Sequence, residues 1–287
     1  MNNSWLKKFK TKNVSKLPMN NYGTRIVTTI FFSFVLFFLT IPAKSQLLIG
    51  PRVGVQYTWV RYSDSDYRDS VSVSPVLNYF AGFTTAFRVK NRFFLEIDLL
   101  YSRMGKEVES KIDESLEYKM YTDHIQLPIL YRVDFKKEIG KDKSFKWYVG
   151  AGPTLSYWLS GHGTVSSSEL IERGIDKIDY KVKFNSDYNE AADDELGIPD
   201  PNRLQLGLNI GGGLVFEFPG VSSLAVDLRF EMGHSYLGKG DAAEFRDIVL
   251  FTDSMESKNM AIKIGVSYLM DTRISERKKG KSSIKRR

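Results

Sequence analysis

The chain contains no cysteine. That excludes disulfide scaffolds, thiolate catalysis, cysteine-ligated metals and anchoring through a lipidated cysteine. Histidine is scarce, with only His124, His162 and His234, well apart in the chain. The sequence therefore points to no metal and no cofactor. After residue 46 no window keeps a long helical apolar stripe. The body also lacks positive excess, although the whole chain carries +7. Residues 1–45 hold seven basic residues and no acidic ones, and the 17 residues from Asp271 hold eight basic and two acidic. The stretch 46–270 carries 26 basic and 32 acidic residues, a net of −6. A body of that sign is a poor nucleic-acid partner.

What is present begins with an address. Residues 26–41 read IVTTIFFSFVLFFLTI, uncharged and preceded by a basic stretch. Ala43-Lys44-Ser45 follows with small residues at alternate positions. This is the layout of a cleaved secretory signal peptide over 1–45, with the cut expected between Ser45 and Gln46. The run is short for a helical span of about 20 residues. Met1 and Met19 both fit as the start.

The remaining body, 46–270, alternates in polarity with period two over eight segments. Residues 203–218 are clearest. Their even positions are Leu204, Leu206, Leu208, Ile210, Gly212, Leu214, Phe216 and Phe218, against Arg203, Gln205, Gly207, Asn209, Gly211, Gly213, Val215 and Glu217. Such a strand has two unlike faces. The other segments lie around 52–59, 77–88, 93–102, 124–133, 147–157, 224–232 and 260–268.

Two architectures alternate this way: a soluble calyx with its apolar face inside, and an outer-membrane barrel with that face outside. Two patterns favour the barrel. Aromatic residues cluster near the strand ends, with Trp59, Tyr101 and Tyr157 at one end and Tyr131, Trp147, Phe218 and Tyr268 at the other. Such girdles suit membrane interfaces. Short links (near Asn91 and Pro219-Gly220, and about ten residues after the fourth strand) alternate with longer ones, the longest running from Gly161 to Asn202. The expected fold is all-β: an eight-stranded antiparallel up-and-down transmembrane β-barrel with short periplasmic turns and long extracellular loops. A basic periplasmic tail, 271–287, follows it.

Eight strands leave an interior just wide enough for side chains. Parity places Arg52, Arg88, Arg132, Arg229 and Lys263 there, facing Glu96, Asp98, Glu217, Asp227 and Glu231. Near-balanced opposite charge is what a closed lumen requires, because an unpaired buried charge is costly. A tight turn at 219–222 pairs positions summing to about 440 or 442. It sets Gly207, Gly211 and Gly213 on the lumen face, where glycine leaves room for long charged side chains.

FFLEIDLLYSRMG (93–105), DHIQLPILYRV (123–133) and WYVGAGPTLSYWLSG (147–161) resemble the PorT-like outer-membrane β-barrel family of Bacteroidota-type Gram-negative bacteria. The elements Leu127-Pro128-Ile129 and Gly150–Pro153 carry most of the likeness. LQLGLNIGGGLVFEF (204–218) and AIKIGVSYLM (261–270) are similar to its later strands. The resemblance implies the outer membrane, and a named member of that family is an accessory of type nine secretion. It supplies no catalytic motif. The 40-residue link after the fifth strand is longer than that family's compact loops.

Chemistry is sparsely signalled. Ser102 falls opposite His124 if paired positions sum to 226, a serine and a base without an evident third member. The acidic stretch DYNEAADDELGIPD lacks the spacing of a calcium loop. The expected function is a non-enzymatic structural or interaction barrel. Its partners are outer-membrane lipids, and envelope or secretion proteins reached through the loops and tail. A narrow porin-like channel is the alternative, and a lipid-modifying enzyme a weaker third.

Overall fold

The computed structural model describes residues 47–113, 115–139, 143–186, 191–218, 222–239, 242–246, 248 and 251–272. The expected signal peptide and all but the first two residues of the basic tail lie outside them. In chain order the elements are β1 (Leu47–Tyr62), α1 (Ser65–Ser70), β2 (Val71–Ser74), β3 (Val76–Lys90), β4 (Phe93–Ser110) and β5 (Glu117–Ile139). Then come β6 (Lys143–Ser166), α2 (Ser168–Glu172), β7 (Ile178–Phe184), β8 (Glu195–Ile198), β9 (Leu204–Glu217), β10 (Ser222–Gly233) and β11 (Ser257–Asp271).

Eight of these strands close a ring. β1 pairs with β3, β3 with β4, β4 with β5, β5 with β6, β6 with β9, β9 with β10 and β10 with β11. β11 returns to β1, with Val53 opposite Val266 and Trp59 opposite Met260. Every pair in the ring is antiparallel. Closure leaves no strand edge, the condition for a sheet to exist in hydrocarbon. The all-β, eight-stranded barrel expected from the alternation is the observed fold.

The alternation also assigns the faces. Val53, Phe83, Leu99, Leu208, Ile210, Leu228 and Ile264 all stand exposed on the outside. Arg52, Gln56, Asp98, Gln126, Arg229 and Lys263 are buried within the ring. Exposed apolar and buried charged residues invert a soluble protein, as a lipid-facing wall demands.

The strands run further than the sequence pattern suggested. The link between β5 and β6 is 140–142 rather than about ten residues. The link between β4 and β5 is 111–116. The tight turn between β3 and β4 sets Asn91 at φ 42°, a left-handed conformation that asparagine tolerates. On β6 a bulge changes the parity. Thr154, Ser156 and Trp158 point inward, then Gly161, Gly163 and Val165 do. Asp123 pairs with Ser160 and His124 with Trp158, which leaves Leu159 without a partner. One inserted residue moves every later side chain to the opposite face.

The long link after β6 is not merely a solvated loop. Ile178, Tyr180, Val182 and Phe184 alternate with charged residues and form β7, which pairs antiparallel with β6. β8 then adds to β7 in parallel, with Val182 opposite Leu196. The late acidic stretch is partly consumed by this ribbon: Glu195 pairs with Lys183 at 3.0 Å and accepts the Ala192 backbone N–H at 3.0 Å.

Candidate functional site

The interior is layered along the barrel axis. Leu48, Ala86, Phe94, Tyr148, Val215, Ala225 and Leu269 form an apolar layer at the short-turn end. Above it lies the charged layer. Arg52 grips Asp227 with both terminal nitrogens, Nη1 to Oδ2 at 2.7 Å and Nη2 to Oδ1 at 2.6 Å. Arg52 Nη1 also donates to Ser267 Oγ at 3.0 Å. Arg229 donates to Asp98 at 2.9 Å, to Asp227 at 3.1 Å, and to Glu96. Arg132 donates to Glu96 at 2.5 Å and to both oxygens of Asp134, at 2.8 and 3.1 Å. Bidentate arginine–carboxylate pairs are the strong form of this contact. Three guanidiniums thus hold four carboxylates together, drawn from β1, β4, β5 and β10.

A second group sits beside the first. Lys263 Nζ lies 2.6 Å from Glu231 Oε2 and donates to Gln126 Oε1 at 2.6 Å. Gln126 Nε2 donates to Glu231 Oε1 at 2.8 Å. Phe80 lies beside both groups, with the Arg52 and Lys263 cations 5.6 and 5.8 Å from its ring.

The β9–β10 register follows a sum of 440: Gly211 faces Arg229 and Gly213 faces Asp227. A Cβ at Gly211 would lie 2.7 Å from Arg229 Cγ, and one at Gly213 would lie 2.7 Å from Asp227 Cβ. These two glycines give room to the charged side chains. Gly207 instead faces Gly233, and a Cβ there would meet only backbone, with no charged side chain among its nearest neighbours. Gly265 has the same role as Gly211, for Arg52: a Cβ there would lie 2.6 Å from Nη2.

Two of the expected network residues stand apart. Glu217 is exposed at the strand end and pairs with Lys146 at 2.5 Å. Arg88 is half-buried with its cation 5.2 Å from the Phe94 ring. Both have lumen parity, but parity fixes a face and not a depth. Asp134 was missed, although it continues the parity of Arg132. The interface aromatics Tyr131, Trp147, Tyr157, Phe218 and Tyr268 are exposed, while Trp59 and Tyr101 are half-exposed.

Ser102 does lie opposite His124. However, His124 is fully buried, with Nδ1 3.1 Å from Ser156 Oγ and Nε2 3.0 Å from Thr122 Oγ1. Ser102 Oγ accepts from Gln56 Nε2 at 2.8 Å. The pair is not aligned for proton transfer between its members. Among the described residues no group of three His, Asp or Glu could hold a metal ion.

Above the polar layers the interior turns apolar. Val60, Val108, Met120, Trp158, Val165, Tyr180, Leu196, Ile198, Phe245 and Phe251 pack into one cluster drawn from strands and loops. It lies past the Trp59, Tyr101 and Tyr157 belt and forms a cap. Among the described residues one ion pair is buried in it. Lys106 Nζ donates to Asp253 at 2.5 and 2.7 Å, and Tyr62 and Tyr118 donate to Asp253 Oδ1 at 2.9 and 2.8 Å. Asp253 comes from the loop between β10 and β11 and latches it to β1, β4 and β5. Burial lowers the Lys106 pKa, against the pull of Asp253. Burial, helped by Asp253, raises Tyr62 and Tyr118 well above the phenol value. Sequence reasoning missed this latch.

The match to a known family agrees with this architecture. The model of the outer membrane protein beta-barrel domain matches residues 42–235. No curated protein sequence matches the chain. Among solved structures, the outer membrane protein OprG from Pseudomonas aeruginosa aligns at 8% identity and TM-score 0.43, covering 79% of this chain and 95% of that one. Ail of Yersinia pestis aligns at 10% identity and TM-score 0.30, covering 78% and 98%. AlkL, solved in lipid bilayers, aligns at 12% identity and TM-score 0.36, covering 79% and 91%. The family match, the closed ring and the inverted faces together establish that the chain belongs to the outer membrane protein beta-barrel domain family.

Proposed function

We propose that this chain is a sealed, non-enzymatic barrel of a Gram-negative outer membrane, delivered by a signal peptide cut between Ser45 and Gln46. Its work is structural and adhesive: the wall holds it in lipid while the loops and the basic tail touch an envelope or secretion partner. An accessory role of the PorT-like kind is the finer form of this reading.

The observation that carries the proposal is the Arg52–Asp227–Arg229–Glu96–Arg132 chain across the lumen, with an apolar cap above it. A passing ion would have to break charge pairs that are costly to break and then cross an apolar cluster. The burial of His124 and its bonds to Ser156 and Thr122 argue against a hydrolytic Ser102–His124 pair.

Purified full-length protein in planar bilayers tests the seal. The expected trace is silent under applied voltage, from protein whose gel mobility shifts on heating. Steady unit conductance would contradict the proposal and favour a narrow channel. Photo-crosslinking from Ile171 and Ile175 in intact cells tests the adhesive role. Both are exposed in the β6–β9 link, and the expected product is a discrete protein adduct.

A further inference from the structure

We infer that the outer rim carries a binding site for the phosphate of an outer-leaflet glycolipid, built from Arg61, Lys258 and Arg68. The inference rests on the proposed orientation, with the long-loop end outward.

Arg61 on β1 and Lys258 on β11 are direct cross-strand partners. Both continue the outward parity of Trp59 and Met260. Like charges directly opposite one another destabilise a sheet, so a bound anion would stabilise the pairing. Among the described residues neither cation has a carboxylate within ion-pair distance. Glu256, exposed two residues before Lys258, forms no ion pair with either cation. Two other cations of the same rim are matched: Arg103 lies 2.9 Å from Asp123 and Lys119 lies 2.9 Å from Glu107. Arg68, half-exposed on α1, adds a third charge, with only a loose 3.9 Å approach to its neighbour Asp69.

The shape fits a lipid headgroup. Arg61, Arg68, His234 and Lys258 line an open groove of about 370 Å³ whose lower side is Met232 and Met260. These methionines belong to the lipid-facing wall. The Arg61–Lys258 pair lies two residues further out, roughly 7 Å along the strands at the strand rise per residue. Phosphate at the headgroup level would meet the cations while an acyl chain follows the methionines. Arginine's planar fork suits phosphate oxygens, and lysine supplies a point charge. Lys258 also lies over the Tyr236 ring at 4.8 Å, which steadies it.

The test uses the full chain in phosphatidylcholine vesicles doped with a bisphosphorylated glycolipid, or with the same lipid after phosphatase treatment. Lipid carried into detergent with the protein is counted by native mass spectrometry. Wild type is expected to retain the phosphorylated lipid and not the dephosphorylated one. Arg61→Gln with Lys258→Gln should cut retention at least tenfold. Arg61→Lys with Lys258→Arg, which keeps both charges, should restore most of it, and Lys119→Gln should leave it unchanged. Millimolar inorganic phosphate should not displace the lipid. Equal retention by the double glutamine variant, or equal retention of the dephosphorylated lipid, would overturn the site. Displacement by free phosphate would overturn the lipid as its occupant. The heat-dependent gel shift of each variant reports the barrel separately: its absence in wild type would break the barrel reading rather than this site.

Discussion

The middle of the lumen and the outer cap fill the same cylinder by opposite means. The middle layer brings together Arg52, Arg132, Arg229, Glu96, Asp98, Asp134 and Asp227, each with an oppositely charged partner. The cap is apolar and, among the described residues, admits the single pair Lys106–Asp253. The difference follows from what each must cover. Inside the membrane the lipid-facing wall consumes the apolar residues, and the other parity is left polar. Beyond the membrane the loops bring apolar side chains back across the opening, so an ordinary core can form. The charged layer depends on mutual pairing, and the cap on packing plus one latch.

This contrast can be broken, and the largest effect should come from the middle. Arg229→Met removes a partner from Glu96, Asp98 and Asp227 at once. Stranding buried charge costs about 3–5 kcal/mol. Urea titration of the vesicle-embedded protein should show that loss as a lower unfolding midpoint. An unchanged midpoint would mean that the layer is wet and its charges are screened.

In the cap, Asp253→Asn keeps one acceptor oxygen but strands the buried Lys106 charge, and should cost about 3 kcal/mol, the lower end for a broken buried pair. Its signature is local: faster amide exchange around 243–257, with the ring strands unchanged. Replacing the pair with Lys106→Met and Asp253→Leu removes both charges and leaves the Tyr62 and Tyr118 hydroxyls, 3.1 Å apart, to bond each other, so it should cost less than Asp253→Asn alone. Global loss of the barrel on Asp253→Asn alone would erase the distinction between the two layers.

The cap should also respond to alkali. Tyr62 and Tyr118 have raised pKa values in the fold. Near and above pH 10 the opened state loses those protons while the closed state keeps them. Closure is therefore fully favoured below pH 10 and weakens as pH rises further. Lys106 works the other way, because its lowered pKa lets the closed state shed a proton first. Two phenols outweigh one amine, so exchange of the cap amides, corrected for intrinsic rate, should accelerate above pH 10. A flat profile would contradict the burial of these phenols.

The smallest effect belongs to the rim. Glu217→Gln removes an exposed pair with Lys146 and should cost less than about 1 kcal/mol. A larger loss would place Glu217 within the charged layer after all.

These outcomes map onto what the sequence revealed. The eight strands and their faces were legible because period two persists through each segment. The hairpin registers were legible because short turns fix them: the sums of 440 and 226 recur as Gly211–Arg229 and Ser102–His124. Depth was not legible, which is why Glu217 entered the wrong group. Partners across the lumen were also hidden: Arg52 and Asp227 are 175 positions apart, and Lys106 and Asp253 are 147 apart. No local period can pair such residues. The unpaired Leu159 hid the end of β6 by reversing its parity. β7 alternates visibly at Ile178, Tyr180, Val182 and Phe184, so that strand could have been read.

Native tryptophans test the central claim, that the apolar face meets lipid and the opposite face is enclosed. Trp147 is exposed on the wall and Trp158 is fully buried within the cap. Single-tryptophan variants, with the other tryptophans changed to phenylalanine, would be placed in vesicles of brominated lipid. Strong quenching of Trp147 with little quenching of Trp158 is the expected result. Quenching of Trp158 equal to or greater than that of Trp147 would contradict it.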